Sequence, residues 1–455
     1  MESSLKNDSD FYFSPMLQLP FVSKKLAQSS NFSMSLFAAV MAFLTYSSMY
    51  AFRKPFAAAT FEGELFMGMD LKVWLILAQT FGYMASKFYG IKMISELKPE
   101  RRAVLILTLI GISWMGLLGF AVLPAPFNIL CFLVNGFPLG LIWGLVFHYL
   151  EGRKFTEMMG SILAVSFVFS SGLVKTIGKY LMDEWHISEL WMPFWTGGIF
   201  MPLLVISVIL LNQTPPPNHE DVALRSVRTP MSKKERVDFF NAFKPGIIIL
   251  VLVYVVLTAL RDIRDNFAVE IWETMGINVN PELLTQTEIP ITLILLVMMA
   301  LLVLVKNNQK ALFLYHWIII AGLVMAVGAT ILLQVGIIQP FLWVVLTGTG
   351  IYMGYIPFNC LLFDRLIASF KSAGNVGFLM YLADSFGYLG SVGIVTIKQF
   401  GILKDMSWHL FYTQGILVML SIGTGMMLFT LWYFKRKTKT YESGTVENIS
   451  LASKI

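Results

Sequence analysis

Charge is the first thing this sequence is short of: 14% of its 455 residues are Asp, Glu, Lys or Arg, against about 25% in an ordinary soluble domain. With 56% of residues hydrophobic, that shortage excludes a typical soluble enzyme. Cysteine is scarce as well. Cys131 and Cys360 stand in separate apolar runs, which supports neither a disulfide scaffold nor a cysteine zinc site. The five histidines are scattered, and neither paired zinc spacing nor a Walker A motif is present, so no metal, no cofactor and no ATP-driven pumping is expected. No nucleophile and base constellation points to an enzyme, and no nucleic-acid partner is expected. No apolar h-region precedes the first long hydrophobic segment, so the amino terminus is expected to stay in the cytoplasm.

What is abundant is long apolar sequence. Twelve membrane helices of roughly 21 residues would use about 250 residues, and the chain offers runs at about 33–59, 71–94, 103–123, 127–149, 160–181 and 190–211, then 245–270, 285–305, 311–336, 341–363, 374–397 and 410–433. Between the two sets lies a polar stretch, 212–243, with Pro215-Pro216-Pro217 and Lys233-Lys234-Glu235-Arg236. The expected fold is therefore all-α and polytopic, with twelve transmembrane helices in two six-helix pseudo-repeats. Its expected organisation is a cytoplasmic tail (1–32), a first bundle (33–211), a cytoplasmic linker (212–243), a second bundle (244–433) and a basic tail (434–455).

Charge placement tests that count. With the amino terminus inside, 24 of the 34 Lys and Arg residues fall on the inner side and four, Lys72, Lys179, Lys398 and Lys404, on the outer side. This is the positive-inside pattern, and a miscounted helix would scramble it downstream. Both termini are expected in the cytoplasm and the plasma (inner) membrane is the expected location.

Six basic residues remain within helices or at their edges: Arg53, Lys54, Lys87, Lys175, Arg261 and Arg264. A central Arg or Lys costs about 2.5–3.5 kcal/mol on insertion scales, so several together imply a polar cavity or compensating partners. Arg53-Lys54-Pro55-Phe56-Ala57 in the first span and Arg264-Asp265-Asn266-Phe267-Ala268 in the seventh share Arg-x-x-Phe-Ala. The two arginines each lie 17 residues after the first apolar residue of their span, Leu36 and Ile247, which sets them at equal depth in matching helices of two repeats. Facing guanidiniums repel unless an anion lies between them, and their forked geometry suits carboxylate or phosphate oxygens. A self-satisfied polar turn is the other reading of the seventh span, because Arg261 and Asp265 are spaced i, i+4 and Asp262 could likewise pair with a neighbour.

Lys54 and Lys87 serve either the substrate or the gates, and Lys175 suits an interfacial position. Asp384 in the eleventh span is the only acid deep in spans 8 to 12; it either pairs with an arginine or carries a coupling proton. Glycines at helical spacing, Gly136, Gly140 and Gly144, and again Gly387, Gly390 and Gly393, would permit close helix approach.

These residues resemble the major facilitator superfamily over nearly the whole chain. Within it, Tyr50-Ala51-Phe52-Arg53-Lys54-Pro55-Phe56-Ala57 is similar to the first-helix Tyr-x-x-Arg-Lys-Asn-Phe-Ala of the organophosphate:inorganic phosphate antiporters, whose arginine binds phosphate. Tyr83 to Phe88, then Gly90 and Ser95-Glu96 before Arg101-Arg102, resembles that branch's second helix and following loop. Leu260-Arg261 resembles its seventh-helix arginine segment, whereas the internal repeat selects Arg264. The branch's fifth-helix histidine falls at Phe167, with Asp384 at the corresponding place in the eleventh helix, and Pro55 replaces its asparagine. The resemblance implies membership of that branch or of a little-characterised relative.

The resemblance implies a secondary transporter, functional as a monomer in the lipid bilayer, that moves a small anionic solute by alternating access. Its substrate would be exchanged for phosphate or coupled to protons. Tyr50, Arg53, Lys54, Lys87, Arg261 and Arg264 are the candidate substrate ligands, Asp384 and Asp265 the candidates for coupling or charge pairing. The superfamily resemblance assigns Glu96, Lys98, Arg101 and Arg102 to a cytoplasmic gate. Two other readings stand beside this one: a proton-coupled permease for organic acids or sugars, and a membrane sensor that binds an anionic metabolite without moving it.

Overall fold

The computed structural model describes residues 17–95, 99–217, 221, 233–370, 376–401 and 403–452. These residues are almost entirely helical. A short helix α1 (Pro20–Ala27) stands in the segment expected to be a plain tail, and a two-residue hairpin, β1 (Leu65–Phe66) with β2 (Met69–Asp70), lies before the second span. The first half continues with α2 (Asn31–Tyr50), α3 (Leu71–Ser95), α4 (Arg102–Val122), α5 (Phe127–Phe147), α6 (Thr156–Asp183) and α7 (Met192–Leu211). The second half has α8 (Lys233–Asn266), α9 (Ala268–Thr274), α10 (Pro281–Gln286), α11 (Glu288–Val303), α12 (Asn308–Gln334), α13 (Pro340–Cys360), α14 (Leu362–Ser369), α15 (Val376–Phe400), α16 (Trp408–Gly415) and α17 (Ser421–Ala452).

Among the described residues ten helical stretches are long and apolar enough to cross a membrane. The two others of membrane length, α3 and α15, are each 25 residues long. Together they account for the twelve spans. Exposed leucines and valines then read as lipid contact: Leu293, Val297 and Leu301 on α11 recur every four residues and are all about 60% exposed, one outward stripe of a 3.6-residue period.

Several expected spans are interrupted. The first, expected as one helix over 33–59, ends at Tyr50; a turn carries Ala51 to Lys54 and a 3-10 helix follows at Pro55–Ala58. Pro55 has no N–H to give the Ala51 carbonyl, and its ring crowds the preceding turn. The seventh begins at Lys233, inside the expected linker, and stops at Asn266, with Phe267 capping α9. The eighth is divided at Thr287, the tenth at Leu361, and the twelfth contains a π-helical turn at Ile416–Leu420. Helix starts are supplied by side-chain caps: Ser30 accepts from Ser33 N–H, Asn280 from Leu283, Asn307 from Lys310 and Ser407 from Leu410, each satisfying a donor that the first helical turn leaves open.

The chain forms two compact units: residues 1–226 with 278–292, and residues 227–277 with 293–455. In unit 1, α3 and α5 run together because Gly136 and Gly140 have no side chain: a Cβ would stand 2.2 Å from the Gln79 carbonyl oxygen and 1.9 Å from Ser86 Oγ. Hydroxyls stitch α2 to its neighbours, Thr45 to Ser207 at 3.0 Å and Ser170 to Ser47 at 2.7 Å. Residues 278–292 join this unit through Thr176, whose hydroxyl donates to the Pro281 carbonyl at 2.6 Å and lies 2.7 Å from Thr285 Oγ1. In unit 2, α8 and α15 meet where Gly387 faces Tyr254 and Thr258 and Gly390 faces Val255.

Candidate functional site

The break in the first span is the centre of the unit 1 site. In a continuous helix the carbonyls of Phe52 and Arg53 would accept from residues 56 and 57; here two buried amides take their place. Asn135 of α5 donates to the Phe52 carbonyl at 2.9 Å and to the Ser113 hydroxyl at 2.6 Å, and Gln79 of α3 donates to the Arg53 carbonyl at 3.0 Å and to Asn135 Oδ1 at 2.8 Å. Lys72 donates to the Ala57 carbonyl at 3.1 Å. Backbone groups freed in a membrane must be satisfied from within the protein, and this network does so while fixing Arg53 in place.

The guanidinium of Arg53 lies 4.0 Å from the Tyr83 ring centroid and 5.8 Å from that of Tyr50. Lys87, one turn along α3, is 5.0 Å from the same Tyr83 ring. Lys54, Lys87 and Lys175 are all buried. Unit 1 therefore brings Arg53 and Lys87 to one ring, Tyr83, with Tyr50 as the other ring that Arg53 meets. Phe167 sits with Trp143, ring centroids 6.4 Å apart, so aromatic packing occupies the place of the expected histidine.

Unit 2 holds its arginine differently. Arg261 Nη2 and Nε donate to Asp262 Oδ1 at 2.6 and 3.1 Å, and Ser391 donates to the other carboxylate oxygen at 2.7 Å. The same guanidinium lies 4.2 Å from the Tyr355 ring centroid. Arg264 is buried and stands 5.9 Å from the Tyr352 ring; Asp265 is also buried. Asp384 accepts from the Tyr254 hydroxyl at 2.5 Å, and that hydroxyl is 3.2 Å from both Tyr355 Oη and Asn359 Oδ1. Tyr355 thus touches both Arg261 and the group that holds Asp384.

Of the four residues expected at a cytoplasmic gate, Glu96 and Lys98 lie outside the described residues, Arg101 is exposed, and Arg102 reaches the end of α5, its guanidinium 5.7 Å from the Tyr149 ring. Beside it, Arg153 donates to the Tyr149 carbonyl at 3.2 Å and to the Pro215 carbonyl, and the Lys154 N–H donates to Asp221 at 2.8 Å. Burial pulls the Arg153 guanidinium down to about 10, opposed by Asp221, so it stays charged at physiological pH. Gln213, fully buried, ties Leu19 and Ser23 at the start of α1 to the end of α7.

Sequence reasoning passed over Gln79, Asn135, Trp143, Tyr254 and Tyr355. The first two carried a signal, since a buried amide within an apolar helix needs a partner. The tyrosines and the tryptophan carried none, because aromatic residues are common in any membrane helix. Among the described residues no three His, Cys, Asp or Glu are grouped to hold a metal ion.

The sequence pattern of DUF5690, described as a family of unknown function, matches residues 55–437. No curated protein matches the chain. Among solved structures, it is similar to the proton:xylose symporter XylE of the major facilitator superfamily bound to 6-bromo-6-deoxy-D-glucose, with a TM-score of 0.60, 13% identity, and 89% of this chain and 95% of that one covered. A D-xylose-proton symporter structure gives a TM-score of 0.58 at 13% identity, covering 88% and 97%. At that identity the likeness establishes the fold, an all-α, multi-pass membrane protein of the major facilitator type.

Proposed function

We propose that this chain, which belongs to DUF5690, a family of unknown function, is a secondary transporter that moves a small organic anion by alternating access. Organophosphates, phosphate and related acids are its substrate class, and Arg53 is the principal ligand. The observation that carries this reading is the fixed break in the first span: Arg53 sits in a turn whose carbonyls are held by Gln79 and Asn135, so the guanidinium is placed before substrate arrives. Preorganised forks favour carboxylate and phosphate, for which little side-chain freedom is left to lose. Arg261 and Arg264 are the matching ligands in unit 2, with Lys54, Lys87 and Tyr50 as supporting groups. The inner-side excess of Lys and Arg supports cytoplasmic termini in the plasma (inner) membrane.

The test uses the purified protein, whose thermal unfolding is followed with inorganic phosphate, glycerol phosphates, sugar phosphates and carboxylates, wild type against Arg53→Ala. A ligand that binds the folded state raises its stability. Stabilisation that disappears in the variant, with flux of the same anion in proteoliposomes, is the expected result. Binding without flux would make the protein a sensor, and stabilisation that survives Arg53→Ala would remove Arg53 from the site.

One observation favours a second reading, a proton-coupled permease: Asp384 is held by Tyr254 beside Tyr355 and Asn359. Uptake driven by a pH gradient alone, and lost in Asp384→Asn, would select it.

A further inference from the structure

Helices α12 and α17 run side by side in opposite directions. A Cβ at Gly423 would stand 3.7 Å from Leu323 Cδ1, and the Phe434 ring lies 5.9 Å from that of His316. Next along α17, the Lys435 ammonium comes 5.8 Å from both the Phe313 and the Trp317 rings of α12, and the Arg436 guanidinium lies 5.7 Å from Trp432, one turn back on its own helix. Trp317 and Trp432 are 50% and 54% exposed, and both cations are exposed as well. This corner of unit 2 thus sets two charges over two outward-facing indoles.

Other basic residues near helix ends are held differently. Arg153 and Arg365 are buried and give their donors to the protein, to the Tyr149 and Pro215 carbonyls and to Asn308 Oδ1. Among the described residues, neither Lys435 nor Arg436 donates a side-chain hydrogen bond or pairs with a carboxylate. Helix α12 has no Asp or Glu, and α17 has none before Glu442. A ring face attracts a cation without neutralising it, so the charge remains for an anion to meet.

From this pair an apolar track leads toward the middle of both helices. Val324 lies seven residues, about 10 Å, beyond Trp317; Phe429 and Ile422 precede Trp432, and all three are at least 40% exposed. A basic head on an apolar track matches a phosphodiester with acyl chains attached. A soluble anion would use the head and leave the track unfilled.

We infer that the paired ends of α12 and α17 bind an anionic phospholipid, its headgroup phosphate at Lys435 and Arg436 and an acyl chain along Trp317 and Trp432. Indoles favour the level of the headgroups, and each Lys or Arg near a membrane surface adds attraction for anionic lipid. The site lies wholly in unit 2 and is independent of the substrate reading.

The full-length protein in detergent, titrated with dioleoyl phosphatidylglycerol or dioleoyl phosphatidylcholine and followed by native mass spectrometry, tests it. Phosphatidylglycerol is expected to bind about thirty-fold more tightly, about five-fold for each cation. Lys435→Gln with Arg436→Gln should bring that ratio to about one. Lys24→Gln with Lys25→Gln, which removes the same charge from exposed positions of α1, should leave it unchanged. Equal affinities in the wild type, a ratio that survives loss of Lys435 and Arg436, equal loss in both double variants, or displacement of the lipid by inorganic phosphate or glycerol phosphate overturns the inference. If the Lys435 and Arg436 variant fails to fold, phosphatidylglycerol with a photoreactive headgroup decides on the wild type alone: label on residues 313–317 and 432–436 supports the site, and label elsewhere overturns it.

Discussion

The two units solve the same problem, an arginine beside a broken helix, with opposite chemistry. In unit 1 the break at Pro55 sets Arg53 against the faces of Tyr83 and Tyr50, and α2, α3, α4, α5 and α7 contain no Asp or Glu. The buried acid of that unit's helical core, Glu288, comes from the 278–292 segment. In unit 2 the break at Phe267 follows Arg261-Asp262-Ile263-Arg264-Asp265, and Asp384 adds a further carboxylate. Ring faces attract a cation without cancelling its charge; a carboxylate cancels it. Unit 1 thus surrounds its arginine with rings, and unit 2 sets carboxylates beside its own.

Stability measurements sharpen that contrast. The largest effect is expected from Asp262→Ala, which leaves the largely covered Arg261 without the carboxylate it meets at 2.6 Å; removing one partner of a pair shielded from water costs about 3 kcal/mol, read as a lowered thermal midpoint in detergent. Asn135→Leu comes next at about 2 kcal/mol, because it strands the Phe52 carbonyl and the Ser113 hydroxyl without water to replace the amide. The smallest effect is expected from Tyr83→Leu, about 1 kcal/mol for a cation held over a ring. If Tyr83→Leu lowered stability as much as Asp262→Ala, the two arginines would be held alike and the contrast between the units would fail.

Much of this was legible in the sequence, and for identifiable reasons. Span number follows from hydropathy and from the one-sided Lys and Arg distribution, because both report on the bilayer rather than on packing. The repeat was visible in Arg-x-x-Phe-Ala, and both copies lie at helix breaks. Pro55 carried a signal for the first break, which the reading of 33–59 as one helix passed over. Nothing comparable announces the second, since Asn266 and Phe267 are ordinary helix residues and the end of α8 is set by its surroundings. The site was half legible: charged residues in apolar helices stand out, while the amides and rings that position them do not. Arg261 had Asp265 in reach at i+4 and Asp262 beside it; the pair with Asp262 is found, a choice between the two that depends on side-chain rotamers rather than spacing.

The glycine seams bear on how the protein is made. Helix α3 carries the buried lysines Lys72 and Lys87 within its 25 residues, so it gains from a partner when it leaves the ribosome for the bilayer. The partner of α15 is α8, already synthesised. The partner of α3 is α5, whose last residue, Phe147, follows Ser95 by about 50 residues, or roughly 3 to 10 seconds of translation at ~5–20 residues per second. For that interval Lys87 has no α5 beside it. A ribosome stalled before Asn135 should leave α3 in the translocon or accessible to aqueous labelling, and one stalled well after Phe147 should not.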